Sequence, residues 1–223
     1  PTPTPALTDE AGVLPLSERS TPDEVLVALS TAHEHYSTVH VRITTEEEFR
    51  TLVDEAWVSQ NTGQVRWQTD IYHEDELTMT NLHVSDGEYV FVRDSLFREG
   101  AVLLVLGPPE ETVRRLGLIT TMIAPANLAQ SITLSDREIE IVEVVELMDR
   151  PALYVLVHPA NGLTRRQLWI DTETGVLLQF VGETPDGSIF TQSTIEHIEF
   201  DAEWTEEERN DLFYVDRSAY DPE

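Results

Sequence analysis

Residues 168–213 read LWIDTETGVLLQFVGETPDGSIFTQSTIEHIEFDAEWTEEERNDLF. Leu168 to Asp171 has the composition of a strand, Thr172 to Gly175 of a turn, and Val176 to Glu183 of a second strand. Thr184 to Gly187 turns again, and Ser188 to Phe200 makes a third, longer strand before Trp204 to Leu212 reads as a short helix. Connections of about four residues are too short for parallel crossovers, so the stretch predicts an antiparallel meander.

The same grammar runs through the first half of the chain. Ser20-Thr21-Pro22-Asp23, followed by Val25, Leu26, Ala28, Leu29 and Ala32, predicts a helix that starts with proline in its first turn and runs to about Tyr36. From Thr38 the period becomes two, with Val39, Val41 and Ile43 alternating against His40, Arg42 and Thr44. Glu46 to Asp54 fits either strand or helix. Trp57 to Tyr72 predicts a hairpin around Asn61-Thr62-Gly63, its second arm placing Val65, Trp67 and Ile71 on one face. A charged turn at His73 to Glu76, a strand Leu77 to Val84, a tight turn at Ser85-Asp86-Gly87 and a strand Glu88 to Arg93 follow.

The middle differs. After Gly107-Pro108-Pro109, residues Val113 to Leu128 carry a broad apolar surface, predicted to be helical and broken into short pieces by Gly117 and Pro125. Strands resume at Glu138 to Glu146, Ala152 to Val157 and Arg165 to Asp171, with a turn at Asn161-Gly162. The predicted fold is α+β: a strongly curved antiparallel sheet forming an unclosed half β-barrel, capped by an N-terminal helix and a broken helical insertion. The predicted organisation is a proline-rich flexible tether over 1–21, one half-barrel domain over 22–216 and a tail over 217–223, five of the 12 prolines falling in the first 22 residues.

Charge and missing residue types narrow the function classes. Against 14 basic residues, every one an arginine, stand 42 acidic ones, a net charge of −28. Such a chain repels phosphate backbones and anionic head groups, which argues against nucleic-acid binding and electrostatic membrane adsorption. Absence of lysine with surplus carboxylate fits either adaptation to salt, which screens self-repulsion, or a preference for arginine codons. With no cysteine there are no disulfides, thiol nucleophiles or thiolate metal sites. No apolar run approaches the roughly 20 residues of a membrane span.

The ordered series Leu168-Trp169-Ile170-Asp171, Thr174-Gly175, Asp186-Gly187, Ile198-Glu199-Phe200 and Leu212-Phe213 resembles the closing half of the LolA/LolB/RseB-like family. Val65-Arg66-Trp67 followed by Val84-Ser85-Asp86-Gly87-Glu88 resembles its first half, and the likeness covers about residues 22–215. The resemblance implies an open half-barrel outside the cytoplasm whose hydrophobic cavity takes an acyl chain or the lipid moiety of a lipoprotein, without catalysis or a cofactor. Carrier members resemble R-P-x-x-F-x-W where this chain has Asn61-Thr62-Gly63-Gln64-Val65-Arg66-Trp67, so the arginine that holds the carrier's lid has no counterpart. The proline-rich leader instead resembles a tether behind an N-terminal lipid anchor, as in the receptor. A regulatory module of the RseB kind, sensing envelope stress through a protein partner, is the alternative.

The cavity-lining set this reading implies is Trp67, Phe91, Leu116, Leu118, Ile119, Met122, Ile123, Leu128, Trp169 and Phe180. Leu116 to Ile123 would form the cover, and Trp67, Phe91 and Phe180 the floor. Without the resemblance the same residues read as ordinary core. His33-Glu34-His35 lacks the four-residue spacing of a helical zinc motif, and His73 with Glu74, Asp75 and Glu76 reads as a wet turn. His197 and Glu199 share one strand face, where Asp171 or Asp201 would complete an acid/base pair, but no serine has a G-x-S-x-G context. No catalytic residue, metal or cofactor is expected.

Overall fold

Val39, Val41 and Ile43 are buried while Arg42 between them is exposed, and this alternation makes Thr38–Glu47 the first strand, β1. The computed structural model describes residues 14–93, 101–104, 118–135, 137–158, 164–216 and 218, with the backbone alone at 101–104 and 118–120. The ambiguous stretch after β1 is a hairpin: the chain turns at Glu48-Phe49 and returns as β2 (Arg50–Ser59). β3 (Gln64–His73), β4 (Glu76–Asp86), β5 (Tyr89–Arg93) and β6 (Ala101–Leu104) continue the meander. The expectations at Gly107-Pro108-Pro109 and Asn161-Gly162 lie outside the described residues.

A second meander comprises β7 (Glu138–Leu147), β8 (Arg150–His158), β9 (Arg165–Asp171), β10 (Leu177–Glu183) and β11 (Ile189–Phe200). Antiparallel pairing of β1 with β11 joins the two into one curved eleven-stranded sheet, ordered β6-β5-β4-β3-β2-β1-β11-β10-β9-β8-β7. β6 and β7 are its two ends and do not pair, so the sheet stays open. This is the α+β half-barrel the sequence predicts.

Four α-helices accompany it among the described residues. α1 (Pro22–Thr31) begins in a capping box: Thr21 Oγ1 accepts the Glu24 N–H at 3.3 Å, and the Glu24 carboxylate accepts the Thr21 N–H at 2.6 Å. A 3₁₀ turn, Ala32–His35, completes the segment expected to run to Tyr36 as one helix. α2 (Leu118–Ile123) and α3 (Ala126–Leu134) are the broken insertion, separated at Pro125. α4 (Glu206–Phe213), with its own capping box at Thr205 and Glu208, packs on β3 and β4. No described helix is long and apolar enough to cross a membrane.

α1 packs on α3, and α2 packs on β10. Gly175 lets α1 approach the sheet: its φ is +75°, and a Cβ there would lie 2.4 Å from the Ala28 carbonyl oxygen. Packing begins before the boundary expected at residue 22. Leu16 is buried in the core and donates its N–H to Thr172 O at 2.9 Å.

Candidate functional site: the helix-bearing face of the sheet

Directly paired residues point to the same side of a sheet, so the register assigns every strand residue to a face. Val39, Val41 and Ile43 of β1 lie opposite Val58, Ala56 and Asp54 of β2. The row continues through Val65, Trp67 and Thr69 of β3, then Ser85, His83 and Asn81 of β4, and reaches Val92 of β5. In the other direction it passes through Ile195 and Ser193 of β11, Phe180 of β10, Leu168 and Ile170 of β9, and Leu153 and Val155 of β8. The aliphatic members of this face on β1, β2, β3, β8, β9 and β11 share one core cluster with Val25, Ala28 and Leu29 of α1 and Met122, Ile123, Leu128, Ala129 and Ile132 of α2 and α3.

Five of the ten expected lining residues are brought together on this face. Met122, Ile123 and Leu128 are buried in the cluster, and Trp67 and Phe180 are partly buried against it. The buried Tyr36 hydroxyl donates to Ile123 O at 2.8 Å, and desolvation pushes its pKa up from the ordinary phenol value. Two others lie on the opposite face. Trp169 pairs with Tyr154 and Gln179 and stacks on Tyr154 at 4.7 Å, while Phe91 pairs with Val84, which pairs with Arg66. Leu118 and Ile119 lie in the first turn of α2, where only the backbone is described, and Leu116 lies outside the described residues. Of three pockets lined by described residues, none includes any of the ten.

The face also carries polar residues that sequence reasoning missed. Asp54 is 2% exposed, and its carboxylate accepts Trp67 Nε1–H at 2.9 Å and Thr69 Oγ1–H at 2.5 Å. Desolvation raises the Asp54 pKa, the two hydrogen bonds oppose that shift, and the Asp70 carboxylate adds to it. One strand further, the buried Asn81 Oδ1 has no hydrogen-bond partner. His83 stacks on Trp67 at 4.9 Å. Thr69 was within reach of the period-two reading that placed Val65, Trp67 and Ile71 together; Asp54 was not, because β2 began inside the ambiguous stretch.

The acid/base pair considered for His197 and Glu199 is not completed by either expected carboxylate. Asp171 is fully buried, accepts Arg150 Nε–H at 2.5 Å, and also accepts the N–H groups of Glu173 and Thr174. Hydrogen bonding to Asp171 raises the Arg150 pKa. Asp201 accepts the Ser37 N–H at 2.7 Å. Both carboxylates are thus engaged in turns and chain reversals.

No protein-family model matches the sequence, and no curated protein is detectably similar to it. Solved structures are similar. A chain of the Pseudomonas aeruginosa MucA/MucB complex superposes with a TM-score of 0.57 at 15% identity, covering 84% of this chain and 59% of that one. A separate MucB structure gives 0.57 at 16% identity, with 87% and 62% covered, so this chain spans about three fifths of that length. An uncharacterised conserved protein of Thermus thermophilus gives 0.52 at 10% identity, covering 89% of this chain and 97% of that one. At such identities the likeness is one of fold alone, and the fold is the one these MucB chains and the Thermus protein share.

Proposed function

We propose that this chain is an extracytoplasmic, membrane-tethered binding protein that holds an acyl chain against the helix-bearing face of its half-barrel, as a carrier, receptor or sensor. The observation that carries the reading is the incomplete burial of that face over β3 and β4. Trp67 and Phe180 present rings on the same side, and the apolar row of the same face runs on through Leu52 and Ile71 to Met79, which is 39% exposed. Each methylene taken from water onto such a surface contributes roughly 0.8 kcal/mol, so chain length would set affinity more than chain identity. The orphan carbonyl of Asn81 favours a ligand that brings a hydrogen-bond donor beside its chain. The tether would be the proline-rich residues 1–13, since Leu16 belongs to the core.

The experiment is displacement of a fluorescent fatty acid from the purified protein, paired with native mass spectrometry. A lipid adduct, displaceable binding and a roughly tenfold loss in Trp67→Ala are expected. An empty spectrum together with no displacement would overturn the reading. One observation favours a second reading: the fold likeness extends to MucB, which forms a complex with MucA. In that reading the chain docks a protein partner and senses envelope stress. Retained partner capture by a variant that no longer binds lipid would favour it.

A further inference from the structure

We infer that the sheet face opposite the helices carries a binding site for a divalent transition-metal ion of the zinc type, built from His40, His197 and Glu199. Their ligand atoms lie within 4.8 Å of one another. His40 on β1 is directly opposite Glu199 on β11, and Arg42, two residues along the same face, is opposite His197. Neighbouring antiparallel strands therefore converge two imidazoles and a carboxylate on one point of the sheet. Val39 and Val41 flank His40 and are fully buried beneath it, which fixes the direction in which His40 projects.

One side of the site is already held in place. The His40 ring stacks on Trp57 at 4.6 Å and 11°, and its Nε2 is 3.1 Å from Glu55 Oε1. A carboxylate on a ligand imidazole is the outer-shell contact that orients metal-binding histidines. The other side is free to close: His197 and Glu199 are exposed, and the His197 ring stands 4.9 Å from that of His40. Tetrahedral zinc, with bonds of about 2.0–2.2 Å, places neighbouring ligand atoms roughly 3.5 Å apart. Rotation of the two exposed side chains would close a gap of that size without backbone movement.

Arg42, which shares this face beside the site, is engaged. Glu196 is the extra residue of the bulge opposite Arg42/Ile43, and its carboxylate accepts Arg42 Nε–H at 3.2 Å while Glu55 lies 3.7 Å from Arg42 Nη1. Two nitrogen ligands and one carboxylate suit zinc, cobalt, nickel or copper, whereas calcium and magnesium prefer shells of oxygen. The net charge of −28 would concentrate any cation near the surface, so the test must separate a coordinated ion from a diffuse atmosphere.

Metal-free protein is titrated with zinc by calorimetry in about 0.1 M salt, which screens the diffuse atmosphere, with excess magnesium present. His197→Ala and Glu199→Gln change exposed side chains, and circular dichroism verifies that both remain folded. One equivalent of saturable zinc is expected, weakened at least roughly tenfold in His197→Ala. Cobalt bound in place of zinc should show the intense visible bands of a four-coordinate site, absent from that variant. Absence of saturable binding, or binding of wild-type affinity in both variants, would overturn the site. The site lies on the other face from the proposed acyl-chain contact, so its result stands apart from the lipid test.

Discussion

The two halves of the helix-bearing face are built from the same pleat and filled in opposite ways. Over β8, β9 and the start of β10 the face presents Leu153, Val155, Leu168, Ile170 and Leu177, every one fully buried in the cluster that includes the helices, with Phe180 further along β10 partly buried against it. Over β3 and β4 the same face presents Trp67, Thr69, Asn81 and His83 beside the buried Asp54, with Trp67, Asn81 and His83 only partly buried. Branched aliphatic side chains close on one another without leaving unmet polar groups, so the first half serves stability. A carboxylate of raised pKa and an unpartnered carbonyl cost stability, and such costs gather where a ligand completes the contacts.

If the halves differ in this way, substitutions should separate them. Ile170→Ala, in the packed half, is expected to lower unfolding stability by about 2–5 kcal/mol in urea titration. A loss under about 1 kcal/mol there would mean that the packed half is loose. Gly175→Ala is expected to cost about 2 kcal/mol, because alanine at φ +75° is strained and its Cβ meets the Ala28 carbonyl of α1. Wild-type stability in that variant would show that α1 does not rest on the turn.

In the polar half the sign should reverse. Asn81→Leu removes an acceptor that has no donor, and stability is expected to rise by about 1 kcal/mol while binding of donor-bearing amphiphiles weakens. A loss of stability would show that Asn81 has a structural partner. The smallest effect is a pH trend. The folded pKa of Asp54 lies above its ordinary value of 3.8, so the folded chain binds more protons than the unfolded chain between the two values. This contribution therefore falls as pH rises through that window. Asp54→Asn lacks the term, so its stability relative to wild type should improve from pH 3 towards neutrality. A flat difference would sink that account of Asp54.

Trp169 and Phe91 show where sequence reasoning stops. Each lies within three consecutive apolar residues, Leu168-Trp169-Ile170 and Val90-Phe91-Val92, so period two leaves open which parity faces the helices. In both cases the flanking aliphatic residue takes the inner face, as at Ile170 and Val92, and the aromatic ring goes outside. Asp54 was hidden for a related reason. Its strand begins immediately after a hairpin turn at Glu48-Phe49, which contains no glycine, proline or asparagine to mark it.

What the chain determined locally is its series of hairpins and caps. Asn61-Thr62-Gly63, Thr172–Gly175 and Thr184–Gly187 turn where turn chemistry requires, Thr21 starts α1, and Pro125 divides α2 from α3. These features depend on residues within a few positions of one another. Pairing of β1 with β11 brings together strands about 150 residues apart, with partners such as His40 and Glu199. That contact, the bulge at Glu196 and the choice of face for each aromatic were decided only by tertiary structure, because a shift of one residue in register exchanges the two faces without changing any local preference.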